Sequence, residues 1–502
     1  MQPDPRVFLP AIRRELLRSD LFTDALQTGL SPILMMRASE GLAQLALRQR
    51  SLPALLRGLR SRQHALLERA AAQLDAARLA RPASVTAALD GPATPGEPGE
   101  EDVRLYELHV DALSAAIAAL AAQRTGDQRI GGALDQLCQS ASAIECDMRA
   151  AYRAALETLR EELERGRAVT ATPTVEVSDA LLTSILRERF PQYRALAASQ
   201  VRRLPGINAQ EVYFFDLAHH PECTGPMVLR RAPGWSATKA SLADEAELLT
   251  DLHGLGLPVA PVLMAEREGS RLGGSCIIMQ RLPGKAQTPE SLGTSGRSIA
   301  LEMARLLARI HQVDPRRLRG IHRDDGQPMH RRMEMLLERS YARWQSERIE
   351  GSMALEAAFA WMRANTGCLD ERVSLVHGDC NFRNVLLDGG RISAMLDWEL
   401  SHPGHAAEDL TYIRPDIERL MPWDEFQAAY AAAGGQAASP EVLRYFEVWK
   451  DVWRTSMAAG VYGSYIRGEH QDFLFGTVAF NEYYATLDTL AEFMSKAAFR
   501  SR

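Results

Sequence analysis

From Pro5 to about Arg165, apolar residues recur at spacings of three and four in segments rich in Ala, Leu and Arg, with almost no strand-like runs. That period lines one face of a helix. Ser31-Pro32 and Ser51-Leu52-Pro53 each set a capping hydroxyl ahead of a proline suited to a first helical turn, and long Leu/Ala patterns follow both. Pro, Gly and acidic residues between Arg81 and Val103 interrupt the pattern, which resumes over Val103 to Gln123 and Gly132 to Glu164. The prediction is an all-α bundle over residues 1–165, closed by a linker at 166–178. No internal repeat of fixed period is evident.

Beyond the linker the period changes. Ser178-Asp179 can cap a helix through Phe190, after which short β-type runs appear at 211–218, 227–232, 259–266 and 275–282. A helical pattern, Ala237 to Gly256, lies between the second and third. Strand, strand, helix, strand, strand is the order of a small antiparallel sheet with a helix packed on it. From Arg297 onward the chain reads as mainly helical. The expected fold class is therefore α+β, with a sheet-bearing N-lobe (179–284), a helical C-lobe (285–502) and a cleft between the lobes, all preceded by the all-α bundle.

The length, 502 residues, suits more than one core. A net charge of −6 gives no electrostatic footprint for nucleic acid, so any phosphate binding must be local. The six cysteines show neither CxxC pairs nor regular spacing, which fits a reducing compartment rather than a disulfide or zinc framework. The start of the chain lacks the pattern of a secretory signal, and the longest apolar run, Ala112 to Ala122, is too short to span a bilayer. These features predict a cytoplasmic protein without membrane insertion. Nothing in the helical region names a chemistry: His64 and His109 stand alone, and scaffold, lid and self-association into a homo-oligomer are the roles open to it.

The chemistry concentrates in LVHGDCNFRNVLLDGGRISAMLDWELSHP, Leu375 to Pro403. Phosphoryl transfer from ATP needs a carboxylate to orient and deprotonate the attacking hydroxyl, oxygen ligands for Mg²⁺, and cations on the phosphates. Asp379 and Asn384, in the pattern D-x-x-x-x-N, can supply the base and one metal ligand, with His377 bracing the loop. Asp388-Gly389-Gly390 is hairpin chemistry that returns the chain, so Asp397 comes back beside Asn384 as a second metal ligand, with Trp398 packing to fix the loop. A lone Asp in a turn is ordinary turn chemistry; the joint pattern is what points to catalysis.

HGDCNFRN followed by AMLDWE resembles the aminoglycoside phosphotransferase family, small-molecule kinases that share the protein-kinase fold. The resemblance covers about Val175 to Met494 and leaves out the N-terminal helices. It implies ATP and Mg²⁺ as cofactors and a small-molecule hydroxyl as acceptor. It also implies that Arg230, where such kinases usually carry Lys, meets the phosphates and pairs with Glu245. Gly206 and Asn208 resemble the abbreviated loop over the nucleotide, the backbone from Gln280 to Leu282 the hinge that meets adenine, and Asp409 the acid that ties the catalytic loop to the helical lobe. His311 closes a family-like helix in a structural role. The texture around VLRRAPG is most similar to the branch associated with acyl-CoA dehydrogenases, which implies a hydroxyacyl-CoA acceptor. Antibiotic kinases and kinases of other small alcohols are the alternatives, and a nucleotide-binding pseudokinase acting through its helical domain is the alternative of another class. Tyr445, Phe446, Trp449, Trp453, Tyr462 and Tyr465 form an aromatic C-terminal stretch, with core packing as their plainer reading.

Overall fold

The computed structural model describes residues 56–90, 100–123, 128–163, 177–204, 210–232, 242–267, 271–272, 274–321, 327–349, 351–466 and 473–495. Cys223 and the other five cysteines are free thiols. Among the described residues, no helix is long and apolar enough to cross a membrane.

The chain forms two compact units, the first drawn from Met1–Thr170, Met333–Gly367 and Asp451–Arg502. Its described N-terminal helices are α1 (residues 56–76), α2 (Ala83–Leu89), α3 (Glu100–Ala121) and α4 (Gln128–Leu163). Residues 333–367 and 451–502, assigned to a C-lobe by sequence, belong to this same unit, and buried polar bonds explain why. Glu145 of α4, fully buried, accepts hydrogen bonds from Ser352 Oγ at 2.7 Å and from the Ala354 amide at 2.6 Å while holding buried Arg149. It thereby closes the start of the helix at Met353–Asn365, whose N-cap is Ser352. Ser114 of α3 donates to buried Glu356 of that helix at 2.7 Å, and the Gly351 amide donates to Glu107 at 2.5 Å. Burial raises the carboxyl of Glu356, against the hydrogen bonds from Ser114 and Tyr341. Trp344, fully buried, donates from Nε1 to Tyr483 of the last helix at 3.1 Å. His64 and His109 are not isolated: their rings lie 6.3 Å apart, and burial first, then His64 and Arg60, pushes buried His109 down to about 4.

Glu145→Ala is expected to destabilise this unit by about 3–5 kcal/mol, because it removes the buried carboxylate that pairs with Arg149 and leaves the Ser352 hydroxyl and Ala354 amide without their acceptor. Chemical denaturation measures it; a change below about 1 kcal/mol would contradict the role.

The second unit comprises Ala171–Arg332 and Cys368–Lys450. It begins with α5 (Asp179–Arg189), capped by Ser178, whose hydroxyl accepts from the Leu181 amide. Strands β1 (Ala197–Leu204), β2 (Glu211–Ala218), β3 (Gly225–Ala232), β4 (Val262–Glu266) and β5 (Ser275–Gln280) form an antiparallel sheet in the order β1-β2-β3-β5-β4, with α6 (Leu242–Gly254) between β3 and β4 in the chain. Alternation along the strands sorts the side chains. Tyr213, Phe215, Leu217, Met227 and Leu229 join Leu182, Ile185 and Leu186 of α5 in one core. Val212, Phe214, Val228 and Arg230 take the opposite face. β1 escapes the sequence reading because it is an edge strand with few buried positions, so it carries no apolar alternation.

After the two-residue β6 (Lys285–Ala286) come, in chain order, α7 (Gly296–His311), α8 (Met329–Glu347) and α9 (Met353–Asn365), the last belonging to the first unit. Then β7 (Ser374–Val376), β8 (Val385–Asp388), β9 (Arg391–Met395) and β10 (His402–Gly404) follow, with β8 and β9 a hairpin and β7 paired to β10. Gly389 and Gly390 both have positive φ, 55° and 77°, the conformation a tight two-residue hairpin turn demands. Helices α10 (Ala407–Glu418) and α11 (Trp423–Ala432) lead to α12 (Pro440–Ile466). α13 (Phe473–Ser495) is the last described helix.

Candidate active site

β7 carries the chain into the loop at His377, whose side chain is fully buried. His377 Nε2 lies 2.8 Å from the Leu396 carbonyl, while Nδ1 accepts from the Asp379 amide at 3.2 Å. This bonding pattern assigns the tautomer with its proton on Nε2. Trp398 packs against the ring with centroids 4.7 Å apart and donates from Nε1 to the Met395 carbonyl. Asp409 of α10, fully buried, accepts from the His377 amide at 2.8 Å and the Gly378 amide at 3.0 Å, and His311 Nε2 lies 3.1 Å from it. Burial raises its carboxyl, but His311 and His377 outweigh that and hold it below the ordinary aspartate range. His311 in turn meets Tyr430 of α11 at 2.8 Å. The loop is thus held from both flanks by buried hydrogen bonds.

Gly378 is required by geometry. Its φ is +83°, and a Cβ there would come within 2.6 Å of the Leu400 carbonyl oxygen. Gly378→Ala is expected to shift the loop and lower stability by about 1–3 kcal/mol, read by thermal or chemical denaturation; an unchanged midpoint would contradict it.

Both carboxylate oxygens of Asp379 are held. Asn381 Nδ2 donates to Oδ1 at 3.0 Å and Asn384 Nδ2 donates to Oδ2 at 2.7 Å. Asn381 also caps the short turn Phe382–Asn384 through its bond from the Arg383 amide. With its amide nitrogen committed to Asp379, Asn384 presents its oxygen elsewhere. The hairpin returns as its glycines dictate: the Leu396 amide donates to the Asn384 carbonyl at 2.7 Å, so Asn384 and Asp397 line one cavity. Asp397 sits in the left-handed region, φ 64° and ψ 62°, a strained conformation that Asp tolerates better than most residues.

Across the cavity, Arg230 donates from Nη1 to Glu245 of α6 at 2.5 Å and from Nη2 to Asp397 at 3.3 Å. Burial alone would lower the guanidinium, but Glu245 and Asp397 raise it, so it stays charged. Alternation on β3 separates it from its neighbour: Arg231 points to the other face and is buried against Glu211, Tyr213 and the Leu272 carbonyl.

The cavity, about 380 Å³, has apolar walls from Leu204, Val212, Val228, Ala260 and Met279, with Gln280, Arg281 and Leu282 at one end and Arg230, Glu245, Asn384 and Asp397 at the other. The amides of Gln280 and Arg281 are spent on the Pro261 and Pro226 carbonyls. Asp379 is not among its lining residues and reaches it through Asn384. Gly206 and Asn208 lie outside the described residues, as do the helix starts at Ser31 and Ser51 and the linker up to residue 176.

Three site residues escaped the sequence reading. Asn381 betrays itself as a capping side chain between Asp379 and Asn384. Glu399, the third residue of DWE, is pushed up to about 7 by burial, then by Asp397, against the pull of Arg230. Gln210, with no signal of its own, joins Arg230 to Glu399.

The residues present suit Mg²⁺, a hard cation bound through one or two carboxylates with phosphate oxygens and water completing the shell. Asp397, 41% exposed, and the side-chain oxygen of Asn384, whose amide nitrogen is turned to Asp379, are the two groups that could hold it. Among the described residues, no group of three or more His, Cys, Asp or Glu gathers into a self-sufficient metal cage.

Residues 200–446 match the family model described as the phosphotransferase enzyme family, APH. This segment, about half the chain, belongs to that phosphotransferase family. Two curated relatives are acyl-CoA dehydrogenase family member 11 of Mus musculus, 27% identical over 191 residues, and of Gallus gallus, 31% identical over 195. Each match covers 37% of this chain and 24% of the relative, so the chain spans about a quarter of those proteins. Among solved structures, the macrolide 2′-phosphotransferase MphH from Brachybacterium faecium matches with a TM-score of 0.41 at 20% identity, covering 59% of this chain and 97% of that one. The phosphotransferase segment has the kinase-like α+β fold expected from the sequence.

Proposed function

We propose that this phosphotransferase domain moves the γ-phosphoryl group of ATP to a substrate hydroxyl, with Asp379 as general base. The observation that carries the reading is the convergence of Arg230, Glu245, Asn384 and Asp397 on one end of an apolar cavity whose other end offers backbone at Gln280 to Leu282. An apolar cavity ending in a cation and two oxygen-bearing side chains suits a nucleoside triphosphate.

In this mechanism the backbone near Gln280 to Leu282 meets the adenine edge, and Leu204, Val212, Ala260 and Met279 sandwich the ring. Arg230, kept charged by Glu245, draws the phosphates to the far end. Asn384 and Asp397 would hold Mg²⁺, which when bound supplies charge neutralisation on the transferring group. Asn381 and Asn384 aim the Asp379 carboxylate, which takes the proton from the attacking hydroxyl. The oxygen–phosphorus bond to the acceptor forms as the bond to the ADP oxygen breaks.

For the acceptor, the likeness to acyl-CoA dehydrogenase family member 11 favours a hydroxyacyl-CoA. Of the C-terminal aromatics, Tyr445, Phe446 and Trp449 are buried in the core, whereas Trp453 and Tyr462 are half-buried. Aminoglycosides, macrolides and small alcohols are the competing acceptors. Incubating the protein with ATP, Mg²⁺ and each acceptor class, and following ADP release and phosphoester formation by mass spectrometry, tests the reading. Nucleotide binding without turnover of any acceptor would favour the pseudokinase alternative instead.

A further inference from the structure

We propose that Gln210 is a positioning residue that fixes the plane of the Arg230 guanidinium at the phosphate end of the cavity. The inference rests on the reading of Arg230 as the phosphate cation, and goes beyond it by explaining how an arginine serves there.

A guanidinium is a flat fork with donors on three nitrogens, so it binds phosphate well only when its plane is set. Glu245 holds Nη1 at 2.5 Å, and Asp397 approaches Nη2 at 3.3 Å. Those two contacts locate the far end of the fork. The near edge is held by Gln210, whose Oε1 accepts from Arg230 Nε at 2.8 Å. The three partners come from the residue just before β2, from α6 and from the turn after β9, so the side chain, 13% exposed, is fixed from three directions.

The other half of the Gln210 amide donates from Nε2 to Glu399 Oε2 at 2.7 Å. A neutral amide is the side chain that can accept from a cation and donate to a carboxylate at once. Glutamate at 210 would set a second carboxyl, without the amide donor, against Glu399, and leucine would offer neither bond. A lysine at 230 has no Nε–H beside its stem and would leave the Gln210 oxygen without that donor. Gln210 and Arg230 therefore form a matched pair. Gln210 does not line the cavity, so it acts through Arg230.

The test is calorimetric titration of the full chain with Mg·AMP-PNP, which needs no acceptor. Arg230→Ala is expected to weaken binding, and Gln210→Leu to weaken it about tenfold, the loss of one hydrogen bond to a charged group. In an Arg230→Lys background, Gln210→Leu is expected to change affinity less than about twofold, because the pair is already broken. The double variant Gln210→Glu, Glu399→Gln keeps an acceptor for Arg230 and a donor opposite it, and is expected to recover most of the affinity. A merely structural residue would show neither the background dependence nor the recovery.

If wild type fails to bind AMP-PNP, or Arg230→Ala binds as wild type does, the reading of the site falls and this inference with it. If Arg230→Ala binds weakly while Gln210→Leu binds normally, or loses equally in both backgrounds, the positioning role alone is overturned.

Discussion

Asp379→Asn is expected to lower phosphoryl transfer about 10²–10⁴-fold, the range that a positioned general base contributes, while Mg·AMP-PNP binding stays within a few-fold of wild type. Asp379 does not line the cavity, and both its oxygens are occupied by the amides of Asn381 and Asn384. An asparagine there can accept from one of those amides and must face the other with its own NH₂. The fold should therefore lose about 1 kcal/mol, one hydrogen bond, and no more. Single-turnover kinetics with parallel denaturation measures both quantities. Retained transfer, or a collapse of stability that accounts for the lost activity, would remove Asp379 from the role of base.

Asp397 gives the second large effect, with a stricter choice of substitution. Asp397→Asn is expected to cost about 10³-fold or more in transfer, because Mg²⁺ acts by several kcal/mol on the charge of the transferring group and a neutral amide oxygen holds it poorly. Asp397→Ala should match that loss and add a fold defect. The residue has φ 64°, where Asn is tolerated and Ala is strained by about 1–2 kcal/mol. The two variants should be alike in kinetics and different in unfolding midpoint. Unimpaired turnover in Asp397→Asn would overturn its assignment as a metal ligand.

Much of the site could be read from the sequence because its parts are local. His377, Asp379, Asn384, the Asp388-Gly389-Gly390 turn, Asp397 and Trp398 sit within one continuous stretch, and a two-residue hairpin has few ways to fold. Arg230 and Glu245 were legible for another reason: strand alternation separates Arg230 from Arg231, and the resemblance to small-molecule kinases supplies the partner. Gln210 was not legible, because its two bonds reach residues 20 and 189 positions away and amide side chains carry no local pattern.

β2, β3 and β5 alternate or run apolar and declare themselves, whereas β1 lies at an edge and shows mostly polar residues. The grouping of the N-terminal helices with residues 333–367 draws on Glu145, Ser352, Ser114 and Glu356, bonds across more than two hundred positions that helical periodicity cannot express.

The central claim is ATP-dependent phosphorylation of a hydroxyl through Asp379. Its most direct test follows label from [γ-³²P]ATP, with Mg²⁺, into hydroxyacyl-CoAs, aminoglycosides, macrolides and amino alcohols, using wild type and Asp379→Asn side by side. The account predicts a labelled phosphate ester of one acceptor class with wild type and a loss of about 10²–10⁴-fold in the variant. No labelled ester from any class, or equal labelling by both proteins, would contradict it.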